Sequence, residues 1–223
     1  MAERSTRDAL LEQGALLFAR RGVAGVTAKE LHAAAGARNT SALHYHFGDQ
    51  EGLVAAIITL HVDAIEERRA RLVAEIEASD ASGDLRALVR ALAAPMADDL
   101  HTPLGRAHLR LVAQVSHPSL AYGPAFKVSD APAGSQVVRW LAAALPDLPE
   151  AIRRERLVAL RAQLIGLFAF RATLRDTSPE IGMVGTDGLF LENLVDLLVA
   201  GLQAPPSSEA VEAERAERRR HRS

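Results

Sequence analysis

The chain has 223 residues, 48% of them apolar and 4% aromatic, with 26 basic against 28 acidic side chains and no cysteine. That apolar share can bury a core and excludes wholesale disorder, while the missing thiols exclude disulfides, thiolate catalysis and cysteine-ligated zinc. A net charge of −2 argues against a general nucleic-acid coat, yet the charge is uneven: residues 1–48 carry +2, the segment from Pro205 carries +1 and the middle carries −5.

Alanine, leucine, arginine and glutamate dominate, which favours helices over strands. No stretch alternates with period two, and no Asn-Gly or Asp-Gly pair sits between strand-like runs. The opening MAERSTRDALLEQ is polar and does not read as a secretory signal. No apolar run approaches about 18 residues, so the expectation is a cytoplasmic protein that does not span a membrane.

The first helix is expected over residues 6–20, where Leu10, Gly14, Leu17 and Phe18 form one apolar stripe, and Gly22 is placed to end it. Thr27, Ala28, Lys29 and Glu30 have the order of a capping box, in which the Thr27 hydroxyl accepts from the Glu30 amide and Glu30 reaches back to the Thr27 amide. A second helix follows over 28–35, and Gly36 stops it. Asn39 suits the cap of a third helix over 40–46. Gly48 breaks the pattern again, and Asp49 caps a long fourth helix reaching residue 77. Two short helices joined by a tight glycine-containing turn, behind a supporting helix, predict a helix-turn-helix.

After a turn at 79–84, helical pattern returns over 85–101, 103–115, 133–145, 150–177 and 189–202, giving nine or ten helices and no strands. Residues 117–132 read as irregular. The glycine-rich stretch 182–188 lacks a preceding strand and fails as a nucleotide fingerprint. No GxxxxGK, HExxH or GxSxG motif occurs, so no catalytic residue, enzyme activity or cofactor is expected. His44 and His46 point to different faces of a helix, and His101, His108 and His117 are spread across breaks, so no metal site is expected either. Residues 205–223 begin Pro-Pro-Ser-Ser and contain one large apolar residue, Val211. They are expected to form a flexible, solvated tail whose Arg218, Arg219 and Arg220 could reach DNA phosphates.

The segment 27–53 reads TAKELHAAAGARNTSALHYHFGDQEGL. It closely resembles the DNA-binding head of TetR-type regulators, whose pattern is roughly T-x-x-x-I-A-x-x-A-G-V-S-x-G-x-L-Y-x-H-F-x-x-K-x-x-L. The likeness covers residues 6–60. The rest of the chain resembles the family only in length, helicity and lack of strands. Three positions depart from the pattern. The family's tyrosine falls at His44 with Tyr45 next to it, the turn after Gly36 is one residue longer, and the family's lysine is replaced by Gln50.

A recognition helix projects short polar or flat side chains into the major groove, which admits one helix. Arg38, Asn39, Thr40, Ser41, His44 and Tyr45 suit that role, with Ala42, Leu43 and Phe47 pointing inward. Arg38, Thr40 and Ser41 are expected at base edges or nearby phosphates. Thr27, Lys29, His44, Tyr45 and Gln50 are expected to hold the backbone, the start of the second helix being a ready phosphate site.

The resemblance implies an all-α fold: a helix-turn-helix DNA-binding domain over 1–48, a ligand-binding and dimerisation domain over 49–204, and the tail over 205–223. It implies a homodimeric repressor that binds operator DNA and is released by a small molecule. Helices 150–177 and 189–202 are apolar on more than one side, and Ile165, Ala169, Val195 and Leu198 are expected in a four-helix dimer interface. A mostly apolar pocket for a lipophilic effector is expected among His61, Met96, His108, Leu111, Trp140, Leu164, Phe168 and Arg171. The fourth helix, without proline or further glycine after Gly52, is the expected lever between head and body. The competing class is a helical ligand-binding or protein-interaction module that no longer binds specific DNA.

Overall fold

The computed structural model describes residues 5–37, 39, 41–116, 131–177 and 185–220. These form ten α-helices and no strand: α1 (Thr6–Arg21), α2 (Ala28–Ala34), α3 (Ala42–Phe47), α4 (Gln50–Ala78), α5 (Leu85–Ala97), α6 (Pro103–Val115), α7 (Pro132–Ala143), α8 (Glu150–Thr177), α9 (Asp187–Gln203) and α10 (Ser208–Arg220). Short 3-10 turns occupy Val23–Gly25 and Asp98–His101.

Local chemistry sets most of the helix starts. Ser5, Thr27, Asp49, Thr102 and Thr186 each accept a backbone N–H of the helix they precede. The third helix begins at Ala42, two residues later than the spacing predicts. The reason is an Asx turn: Asn39 Oδ1 accepts from the Ser41 amide at 2.9 Å, so Asn39 caps the turn and not the helix.

Two apolar clusters organise the chain. One gathers Leu10, Phe18, Leu31 and Leu43 with Leu53, Val54, Ile57 and Ile58 of α4 and Leu111 and Val115 of α6. The other gathers Ile65 and Ile76 of α4 with Leu88, Leu109, Leu141, Leu164, Phe168 and Leu198. Helices α4 and α6 therefore serve both clusters, and the head's core is completed by side chains from beyond residue 48. Gln114 of α6 adds a hydrogen bond from Nε2 to the Ala19 carbonyl at 3.3 Å.

Proline inside α5 has a visible consequence. Pro95 lacks an N–H, so the Ala91 carbonyl four residues earlier loses its helical donor. Arg69 of α4 supplies the replacement, donating Nε to Ala91 O at 3.2 Å and Nη2 to Leu92 O at 3.3 Å. Its guanidinium also pairs with Glu66. Burial pulls the Arg69 pKa down from its usual value, and Glu66 opposes the shift.

Two expectations need correction. Residues 208–220 form α10, which packs on α8, with Glu214 buried and paired with Arg218. Alanine, glutamate and arginine are strong helix formers, and Ser207 Oγ accepts from the Ala210 amide. The low apolar content concealed this. Helix α8, in turn, is long and apolar enough to cross a membrane by length and composition alone. Arg161, Gln163 and Arg171 interrupt its apolar run in the sequence. Its Leu160, Leu164, Phe168 and Ala172 lie in the body core, and its Arg171 donates to Asp187 Oδ1 of α9 at 3.0–3.1 Å.

Candidate nucleic-acid interface and body cavity

The turn into α2 is tightly built. Thr27 Oγ1 accepts from the Glu30 amide at 3.3 Å, and Glu30 Oε2 accepts from the Thr27 amide at 2.8 Å. Arg21 Nη1 donates to the other Glu30 oxygen at 2.7 Å. The Arg21 hydrogen bond first, then those from the Thr27 amide and hydroxyl, hold the Glu30 carboxyl down at about 2. The carboxylate is thus charged at the helix start, where the helix dipole favours it.

Helix α3 is held from below. His32 of α2 is buried, and its Nε2 accepts from the Leu43 amide at 3.2 Å. This satisfies one of the orphan donors at the start of a short helix. His32 stands where the resemblance has alanine, and sequence reasoning missed it. A buried imidazole at that position, beside a turn one residue longer, was the available signal. Ala42 and Leu43 face the core, and Phe47 is half-buried with the Arg7 guanidinium 5.7 Å above its ring.

The outward side carries the polar groups. Thr27, Lys29, Asn39, Ser41, His44 and Tyr45 are exposed, Tyr45 to 81%. Arg38 and Thr40 lie outside the described residues. His44 Nδ1 donates to the Gly48 carbonyl at 2.6 Å, so that side chain also closes the C-terminal end of α3. Gln50 differs from expectation. It is half-buried, and its Nε2 donates to the Val23 carbonyl at 2.6 Å, bracing the start of α4 against the turn after α1. A neutral amide spent on the protein's own backbone is not a phosphate ligand.

The junction between α3 and α4 tolerates no side chain at one place. A Cβ on Gly52 would lie 2.0 Å from the Phe47 carbonyl oxygen. The glycine lets the first turn of α4 close against the end of α3, which sets the angle at which α3 is presented.

The body holds a cavity of about 400 Å³ between α4, α5, α6, α7 and α8. Its walls are mostly apolar, from Ile65, Leu92, Met96, Leu109, Leu160 and Leu164. His61, Glu66 and Arg69 of α4 line one side. Of the residues expected at a pocket, His61, Met96 and Leu164 line this cavity. His108 sits behind His61, with ring centroids 4.8 Å apart. Leu111 is packed in the head's core, Trp140 against the body core and Phe168 against Phe190. Arg171 is spent on Asp187 and on the Gly185 carbonyl. These four do not line the cavity.

The expected dimer residues also fall elsewhere. Val195 and Leu198 are buried in the body core, Ala169 is nearly so, and Ile165 lines the cavity. All four make their contacts within one chain. The exposed apolar side chains are instead Val158, Leu167 and Phe170 of α8 and Leu189 and Leu197 of α9. No group of three or more His, Asp or Glu side chains among the described residues is arranged to hold a metal.

A helix-turn-helix head carried on a long helix that enters a helical body defines a class of DNA-binding regulator. Residues 10–57 match the family model described as "Bacterial regulatory proteins, tetR family". The whole chain is similar to two solved structures at low sequence identity. One is the TetR family transcriptional regulator PfmR from Thermus thermophilus, at 20% identity and TM-score 0.54, covering 87% of this chain and 99% of that one. The other is the probable transcriptional regulatory protein RHA5900, at 21% identity and TM-score 0.51, covering 89% and 100%. No curated protein matches. The chain thus has the fold and the N-terminal DNA-binding domain of TetR-family transcriptional regulators.

Proposed function

We propose that the protein is a homodimeric repressor that binds operator DNA through α2 and α3 and leaves it when a small, largely apolar effector fills the body cavity. The observation that carries this reading is the outward display of Thr27, Lys29, Asn39, Ser41, His44 and Tyr45 over a head whose apolar residues are buried beneath them. Polar side chains aimed off a short, internally anchored helix suit a major groove. Arg38 and Thr40 belong to the same proposed surface by sequence position.

The dimer is supported by five exposed large apolar residues on α8 and α9 and by Gly166 in the middle of α8. A Cβ at Gly166 meets nothing within 4 Å, so nothing in this chain accounts for a residue that costs its helix about 1 kcal/mol against alanine. A second copy of α8 approaching closely does. Two heads related by a two-fold axis then address paired half-sites. Helix α4 contributes to the head core, the body core and the cavity wall, so a ligand that favours one placement of α4 shifts the heads.

The test is a gel shift on the DNA upstream of the protein's own gene, at several salt concentrations, with sedimentation in parallel. Wild type is expected to bind as a dimer with affinity falling steeply with salt. Phe170→Arg is expected to sediment as a folded monomer and to lose the shift. A wild-type chain that is monomeric, or that binds no DNA from that region, overturns the reading.

A further inference from the structure

The polar groups around the cavity are almost all engaged. Glu66 Oε2 accepts from the Gly134 amide at 3.0 Å, and its other oxygen takes Arg69. Arg69 donates its remaining hydrogens to the Ala91 and Leu92 carbonyls. Arg139 donates to Gln136 and is exposed, as is Arg161. Inside the apolar part, His61 is the exception.

His61 is 4% exposed, and its Nδ1 lies 3.5 Å from Asp99 Oδ2. Asp99 Oδ1 accepts from Arg68 Nη2 at 2.9 Å, which keeps the carboxylate in its acceptor form. A carboxylate oxygen facing Nδ1 requires the ring proton on Nδ1. Burial, with His108 and Arg68 nearby, pushes the His61 pKa down to about 3, so the ring carries one proton and not two at neutral pH. Nε2 is then a bare lone pair, and no described residue donates to it. An apolar cavity with a single unpaired acceptor selects for a ligand with a single matching donor, because the wrong partner leaves a buried polar atom unpaired.

We infer that the cavity takes an uncharged, largely apolar molecule bearing one hydroxyl, which donates to His61 Nε2. This deepens the proposed function by naming the ligand class, and it rests on the cavity being the effector site.

The test uses the purified full chain and four probes: 4-butylphenol, 4-butylanisole (the same shape without the donor), 4-butylacetophenone (an acceptor only) and octanoate. Binding is measured by calorimetry, and operator release separately by fluorescence anisotropy. Wild type is expected to bind the phenol about tenfold or more tighter than the anisole. In His61→Leu the two should bind within about twofold. Asp99→Asn provides the arm that does not delete the ring. An asparagine amide can donate to Nδ1, moving the ring proton to Nε2, so the phenol should lose its advantage and the acetophenone gain. Equal binding of phenol and anisole by wild type overturns the inference. So does tighter binding of octanoate, a phenol preference that survives both variants, or no binding by any probe. Phenol binding without operator release supports the inference and overturns the effector reading. Release by the anisole as readily as by the phenol does the reverse.

Discussion

Head and body treat their polar side chains in opposite ways. In the head, the core is almost wholly apolar and the polar groups of α2 and α3 face out, with His32 as the buried exception. In the body, the charges turn inward. Arg69, Asp99, Arg171 and Asp187 are buried, each against a named partner. The difference matches what each part meets. A duplex is charged and hydrated, so side chains that read it cost little to keep in water. A small apolar molecule must be enclosed, and enclosing it traps whatever polar groups hold the helices around it. The body should therefore lose stability when one charge is removed, while the head should lose binding before it loses fold.

The largest expected effect is at Arg69. Arg69→Met strands Glu66 and removes the donors that Pro95 makes necessary at Ala91 and Leu92. The cost should be about 3–5 kcal/mol, or a melting point lower by roughly 10 °C for a chain of this size. Adding Pro95→Ala to that variant restores a helical N–H to the Ala91 carbonyl and should recover about 1 kcal/mol. Urea unfolding of the single and double variants checks both numbers. A loss under about 1 kcal/mol for Arg69→Met would mean that the guanidinium does not hold α5 to α4.

Acid comes next. Burial lowers the pKa of His61 to about 3 and of His108 to about 4, from an ordinary 6.5. Both folded values lie below the unfolded one, so the unfolded chain binds more protons as pH falls below about 6.5. Stability is therefore complete above that pH and declines through the window down to about 4 and then 3. The slope approaches about 1.4 kcal/mol per pH unit for each histidine, or roughly 2 kcal/mol per ring by pH 5. Asp99, raised by burial, works in the opposite sense near the carboxylate range. Melting points measured from pH 7.5 to 5 should fall, and His108→Gln should flatten the fall. A flat wild-type profile would place both rings in water.

His32 sits at the boundary of the comparison, a buried polar group in the head. His32→Ala leaves the Leu43 amide without its acceptor and should cost about 1–3 kcal/mol. The loss should concentrate in α3, so amide exchange there should accelerate more than in α9. Uniform acceleration would show that the bond steadies the whole molecule and not the reading helix.

How much of this could be read in advance also divides along the same line. The head's signals are local: the Thr27–Glu30 box, the Asp49 cap and the glycines at 36 and 48 each act within about four residues. The α8 ends fall at the expected residues, and the other helix ends fall within about two residues of expectation, apart from the tail and the 3-10 turn closing the predicted 85–101 helix. What escaped was contact across the chain. His32 meeting Leu43, Gln50 meeting Val23 and Arg69 meeting a carbonyl freed by Pro95 depend on how helices cross, which periodicity does not encode. The same limit misplaced the dimer face. Val195 and Leu198 have the right apolar character, but which stripe of a helix apolar on two sides turns inward is decided by the neighbours it packs against.

The smallest effect on stability, and the sharpest on function, belongs to the exposed face of α3. Tyr45 is 81% exposed, and its ring meets that of His46 edge-on at 4.9 Å. Tyr45→Ala should leave the unfolding free energy within about 0.5 kcal/mol, since surface changes away from caps and networks rarely do more. Operator affinity should drop by about tenfold, one side chain's share of contact. The salt dependence separates this role from that of Lys29. Tyrosine is neutral and releases no counterion, so the slope of log affinity against log salt should stay that of wild type. Lys29→Ala should reduce that slope by about 0.9, the value for one phosphate contact. If Tyr45→Ala unfolds the head, or if the two variants change the slope alike, the outward face is not read as proposed, and the contrast between a displaying head and an enclosing body loses its functional meaning.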